Sequence, residues 1–181
     1  MNGDDYLDDA RREFNRLKGL AERAVAQTRV EQFFTTSHAS ANSLAIQYKH
    51  LAGNMRSRWT RFSSEDGEKP DRNRDAEFEL APDDTRERLA AQWEHGWSCL
   101  FEALAPLRAA DLARVVTIRG EPHTVWSAIQ RQLTHYAYHV GQIVQRCRDL
   151  VGEDWRSLSI PRGGSVAANA DPKPHWRQPP S

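Results

Sequence analysis

Two cysteines, Cys99 and Cys147, are all the thiol chemistry in a chain of 181 residues. Neither sits in a CxxC spacing, so a disulfide scaffold and a thiolate zinc knuckle are both excluded, and the pair reads as reduced core residues. Net charge is missing too. The 25 basic residues balance 25 acidic ones, which leaves no field to gather nucleic acid or an anionic membrane. No apolar run approaches the roughly 18 to 20 residues of a membrane span. The opening MNGDDYLDD is acidic where a secretory signal would be basic and then apolar, so the expectation is a cytoplasmic protein with no nucleic-acid or membrane partner. Glycine-rich phosphate loops of either common pattern are absent, and no Ser-His-Asp or Cys-His arrangement can be assigned from residue order.

What is present favours helix. Alanine, the best helix former, and six tryptophans raise the apolar fraction to 39%. Residues 4–28 place Tyr6, Ala10, Phe14, Leu17, Ala21 and Val25 at helical spacing, with acids in the first turn. Residues 38–61 carry Leu44, Tyr48, Leu51, Met55 and Trp59 at steps of three and four, and a third helix opens at Pro82-Asp83-Asp84 and runs to Pro106. A fourth follows from Thr124 to about Leu150. Between the second and third, residues 62–82 combine glycine, two prolines and dense charge of both signs, a long ordered loop. The run Val115 to Ile118 before Arg-Gly-Glu-Pro allows one short hairpin ahead of the last helix. Four amphipathic helices in a chain of this size predict an all-α four-helix bundle over residues 1–165, with a Pro-rich irregular tail at 166–181. The loop is long enough to cross the bundle, so up-down-up-down topology does not follow from the pattern.

Among seven histidines, His135 and His139 stand one turn apart on the fourth helix, about 40° apart around its axis, so both imidazoles can reach one ion. Taken alone the pair is also what two satisfied polar residues would look like. Polar residues Gln130, Arg131, Gln145 and Arg148 mark that helix's outer face, and His139 and His135 fall about 130° and 90° from its centre. On the second helix His50 lies away from Lys49 and Arg56, beside Gly53 and Ser57, whose small side chains leave room for a ligand. His50, His135 and His139 are therefore the candidate metal ligands. Three neutral imidazoles suit zinc, nickel, iron or copper better than magnesium or calcium, and leave coordination positions for water or substrate. Asn54 and Gln142 are candidates to orient a ring or a bound water. His38 is too far along its helix to share the ion, His95 and His123 read as surface or capping residues, and His175 belongs to the tail.

The segment LTHYAYHVGQI resembles the HxxxHxGQ element of the DinB/YfiT-like superfamily of metal-binding four-helix bundles, and YKHLAGNMRSRW is similar to the segment that supplies its first metal-binding histidine. DGEKPDRNRDAEFE, TIRGEPHTV and SLSIPRGGS resemble one branch, a domain of unknown function with an SIPRG tail motif. The resemblance spans roughly residues 5–165. It implies that His50, His135 and His139 hold a divalent ion, most often zinc or nickel, and that the protein is a homodimer. It also implies a metal-dependent enzyme that activates water, or a low-molecular-weight thiol, for hydrolysis or group transfer on a small molecule. The alternative is a non-catalytic bundle whose histidine site is structural or serves ligand binding or dimerisation. Arg72, Arg74 and Arg162 could recognise a carboxylate or phosphate. The plainer reading has Asp75 and Glu77 pair with these arginines and pin the loop, Ile160-Pro161 latch the tail, and Gly163-Gly164 form a turn.

Overall fold

A computed structural model describes residues 2–38 and 40–170. The first helix, α1 (Gly3–Val25), opens with a reciprocal cap: the Asn2 side chain accepts from the Asp5 amide at 2.8 Å while the Asp5 carboxylate accepts from the Asn2 amide at 2.9 Å. The expected connection at 29–37 contains a further short helix, α2 (Val30–Phe34). Helix α3 (Leu44–Trp59) starts later than its periodicity suggests, because the Ser43 hydroxyl accepts from the Ile46 amide and ends the preceding irregular segment. Helix α4 (Arg86–Leu104) is likewise delayed: Thr85 is its cap, and Pro82 to Asp84 form a turn before it. Strands β1 (Val115–Ile118) and β2 (Glu121–Thr124) form the short hairpin, and α5 (Val125–Val151) follows directly, capped by Thr124.

The four long helices share one core, and residue pairings fix their directions. Tyr6 stacks on Trp126, Phe14 meets Tyr136, and Gln27 bonds the Arg156 backbone, so α1 and α5 run the same way. Tyr48 stacks on Trp93 and Thr60 meets Cys99, so α3 and α4 also share a direction. Arg11 donates to the Leu104 carbonyl while Arg86 donates to that of Val25, which sets α4 against α1, and the Trp59–Tyr136 bond with the His50–His139 approach sets α3 against α5. Two helices up and two down in the order up-down-down-up oblige the α3–α4 connection to travel back along a helix about 24 Å long. Trp59, Trp93, Trp97, Phe14 and Tyr136 are buried at the centre. Cys147 is buried and Cys99 only half-buried, and both are free thiols. No helix among the described residues is long and apolar enough to cross a membrane.

The returning loop is tied near its start, at residues 66–69, on two sides. Ser57 donates to the Gly67 carbonyl at 3.1 Å and accepts from the Lys69 amide at 2.9 Å. Asp66 accepts from the amides of Arg119 and Gly120, both at 2.8 Å, at the tip of the hairpin. Those two residues carry φ of 58° and 75°, the left-handed pair that a two-residue hairpin turn requires. At the other end of the chain, Gly163 at φ 81° and the Gly164 amide bonded to the Pro161 carbonyl make the expected turn. Ile160 is not a latch. It is exposed, and Trp155 and Leu158 pack on the core instead. Helix α6 (Ser165–Ala170) replaces the irregular start of the expected tail and buries no residue, whereas residues 171–181, with His175, lie outside the described residues.

Candidate metal centre

Helices α3 and α5 cross with His50 facing the His135–His139 pair. Ring centroids lie 4.8 Å apart for His135–His139, 5.0 Å for His50–His139 and 5.8 Å for His50–His135. One nitrogen from each ring falls within 4.8 Å of the others, so the three histidines are close enough to hold a metal ion. A point equidistant from three atoms at that limit lies about 2.8 Å from each, so ring shifts of about 0.7 Å reach the usual metal–nitrogen distance of about 2.1 Å.

His50 is buried, and its Nδ1–H donates to Glu77 Oε2 at 2.8 Å. A carboxylate only accepts, so this bond places the proton on Nδ1 and leaves the Nε2 lone pair for an ion. Glu77 comes from a single 3-10 turn, Asp75 to Phe78, in the returning loop. Arg72 grips the carboxylate with Nε and one terminal nitrogen, both at 2.8 Å, and reaches Glu68 with the other at 3.1 Å. Burial alone would raise the Glu77 carboxyl, but the hydrogen bonds and charges of His50 and Arg72 outweigh it and hold the pKa below the ordinary value. Phe78 covers the His50 ring at 4.7 Å, and Arg74 lies over Phe78 at 5.0 Å.

His135 and His139 are half-buried. Desolvation, with the neighbouring histidines and Arg58, pulls His135 down to about 3, and desolvation with His50 pulls His139 down to about 4. Both rings are therefore neutral near pH 7, the protonation state a ligand needs. The Nδ1 of His139 is buried with no hydrogen-bond partner among the described residues. Gln142 lies close enough to oppose the fall of His139, yet no bond of ordinary geometry joins them. Three imidazoles, one oriented by a carboxylate, two neutral near pH 7 and one of these carrying an orphaned buried nitrogen, fit a borderline divalent ion.

The rings open onto a cleft of about 890 Å³ whose walls include Asn54, Phe78, Gln132, Tyr138 and five arginines. Asn54 does not bond a histidine. Its carbonyl accepts from the Tyr136 hydroxyl at 3.1 Å, which in turn accepts from Trp59 Nε1 at 3.0 Å. The space next to His50 has an owner as well: a Cβ added at Gly53 would overlap the Glu77 carboxylate, so the glycine makes room for Glu77 and not for a ligand. Of the three arginines read as anion binders, Arg72 is occupied by Glu77 and Glu68, Arg74 lines the cleft, and Arg162 is exposed away from it. His38 and His95 are exposed outside the cluster, and His123 sits in β2, just ahead of α5, beside Ser127. Residue pattern missed Glu77 as the partner of His50, and it missed Arg58, Arg119 and Arg131 as cleft residues. The charge density of DGEKPDRNRDAEFE was the available signal for Glu77, since a buried loop carboxylate needs a buried cation and a donor.

No curated protein and no solved structure matches the chain. A family model matches residues 1–164, which take in the three histidines, the returning loop and the hairpin. By that match the chain belongs to the family described as "Protein of unknown function (DUF1572)".

Proposed function

We propose that this chain is a DinB-like four-helix metalloprotein in which His50, His135 and His139 hold a zinc or nickel ion, and that it is an enzyme acting on a small molecule by hydrolysis or thiol-dependent transfer. The observation that carries the reading is the convergence of three imidazoles from α3 and α5 at the wall of an open cleft. When bound, such an ion supplies Lewis acidity toward a coordinated water, thiol or carbonyl. The rest belongs to the chain's own residues. Glu77 holds the His50 proton on Nδ1 and fixes the ring, Arg72 holds Glu77, and Phe78 closes one side of the His50 ring from water. A cleft of about 890 Å³ is of the size that admits a small organic molecule. A purely structural tie between α3 and α5 would be expected to close over its ligands, whereas His135 and His139 remain half-exposed.

The test is elemental analysis of purified protein. The wild-type chain should carry about one zinc or nickel per molecule, and His139→Ala should lose it while keeping its helical circular dichroism, because the core and not the ion holds the fold. Metal content unchanged by His139→Ala overturns the ligand set. Loss of helix on chelation of the wild type overturns the catalytic reading in favour of a structural ion.

A further inference from the structure

On α3, eight residues beyond His50, Arg58 is only 2% exposed. Its Nη2 makes one long contact, 3.5 Å to Glu68, and its Nε and Nη1 have no hydrogen-bond partner among the described residues. Gly67 makes room for it, since a Cβ there would lie 2.7 Å from Nη1. A buried guanidinium with two of its three nitrogens unfilled is costly unless something else fills them.

The surroundings have more cation than anion. Glu68 is shared by Arg58, by Arg72 at 3.1 Å and by Arg119 at 3.2 Å, and Glu77 is taken by Arg72 and His50. Arg74 and Arg131 make no ion pair among the described residues. Among the described residues no aspartate or glutamate lines the cleft, although the chain as a whole is neutral. Five arginines around the cleft, with buried Arg58 unfilled, form a field for a small anion.

We infer that the cleft takes a small molecule bearing a carboxylate or phosphate, with that group seated on Arg58 and assisted by Arg119 and Arg131, and with the remainder of the molecule turned toward the histidines. As a statement about substrate, this rests on the metal reading above. The anion seat itself needs only the arginines. A nucleic acid or a lipid surface is the wrong shape for it, since a guanidinium 2% exposed can be reached only by a terminal group that enters the cleft.

The probes are inorganic phosphate, acetate and succinate, titrated calorimetrically into the full-length protein with metal content measured on the same sample, and again after chelation. At least one anion should bind where acetamide does not. Preference for phosphate names a phosphoryl group as the seated one, and preference for acetate or succinate names a carboxylate. Arg58→Met should weaken binding by roughly tenfold or more while metal content stays at the wild-type level. Arg131→Gln, an exposed substitution with little demand on folding, should weaken it severalfold, and this variant decides if Arg58→Met fails to fold. Anion binding equal in both variants and wild type, or no anion bound by metal-loaded protein, overturns the inference and leaves the metal reading standing. Anion binding by wild-type protein that carries no metal as purified, before any chelation, overturns the metal reading and leaves the seat.

Discussion

Replacing Glu77 by glutamine keeps the shape of the side chain and removes its charge. The carboxylate accepts from His50 Nδ1 at 2.8 Å and from two nitrogens of Arg72 at 2.8 Å, with side-chain exposures of 8% for Glu77 and 2% for Arg72. Glutamine offers one acceptor oxygen where the carboxylate offers two, so either the oxygen position that serves Arg72 Nε or the one that serves both His50 and the terminal nitrogen of Arg72 loses its acceptor. Breaking a buried ion pair outright costs about 3 to 5 kcal/mol. Arg72 retains Glu68 at 3.1 and 3.2 Å and glutamine keeps one bond, so about 1 to 3 kcal/mol is the expected loss. In a domain of this size that lowers Tm by roughly 3 to 10 °C. The effect on the metal is separate. Removing a carboxylate that orients a ligating histidine weakens metal binding roughly 10- to 100-fold, equivalent to about 1.4 to 2.8 kcal/mol. Competition against a chromophoric chelator measures this at a temperature well below either Tm. A variant with reduced Tm but metal affinity within twofold of wild type would show that Glu77 only staples the loop, and the orientation argument would fail.

Two further expectations follow from the same contacts. Gly53→Ala drives a Cβ into the Glu77 carboxylate, so it should weaken metal binding as Glu77→Gln does, and the double variant should be little worse than either single one; additive losses by chelator competition would disprove the shared cause. Because His135 and His139 are held near 3 and 4 in the fold, against an ordinary 6.5, the unfolded chain takes up their protons first as pH falls. The stability of metal-stripped protein should be intact above about pH 6.5 and decline steadily toward pH 4, with the depressed Glu77 carboxyl adding a loss in the same direction at lower pH. Scanning calorimetry across that range checks it, and a Tm independent of pH would mean the rings are solvated.

Periodicity made the helices legible because each long helix buries one stripe: Phe14 and Leu17 on α1, Leu51 and Met55 on α3, Trp93 and Trp97 on α4, and Ile129 and Val140 on α5 are all core residues. The i,i+4 spacing of His135 and His139 was legible for the same reason, and His50 followed from the charged side of α3. Helix starts were displaced where a hydroxyl cap overrode the apolar pattern, at Ser43 and Thr85. What could not be read was the path of the returning loop. That path is set by Ser57 bonding Gly67 and Lys69, and by Asp66 bonding the hairpin tip, contacts between residues with no periodic relation. The loop alone brings Glu77 to His50, and the neighbourhood of Arg58 depends on Gly67. The two small residues Gly53 and Ser57 were read as space for a ligand and prove to be the sockets of this loop.

The distribution of unfilled polar atoms says where this fold gives up stability for something else. Seven buried side-chain nitrogen and oxygen atoms have no partner among the described residues, and four of them belong to cleft residues: Arg58 Nε and Nη1, Gln132 Oε1 and His139 Nδ1. Each such atom costs about 1 to 3 kcal/mol if nothing fills it, and a core of this size could have placed apolar residues at all three positions. A helix pair held only for packing would have no reason to keep them. Their chemistry is also divided: an imidazole nitrogen at the histidine cluster, guanidinium donors on Arg58, and an acceptor oxygen on Gln132. An ion at the histidines that carries a ligand with an anionic end would satisfy the imidazole and the guanidinium together, which neither a bare structural ion nor a simple counter-ion does.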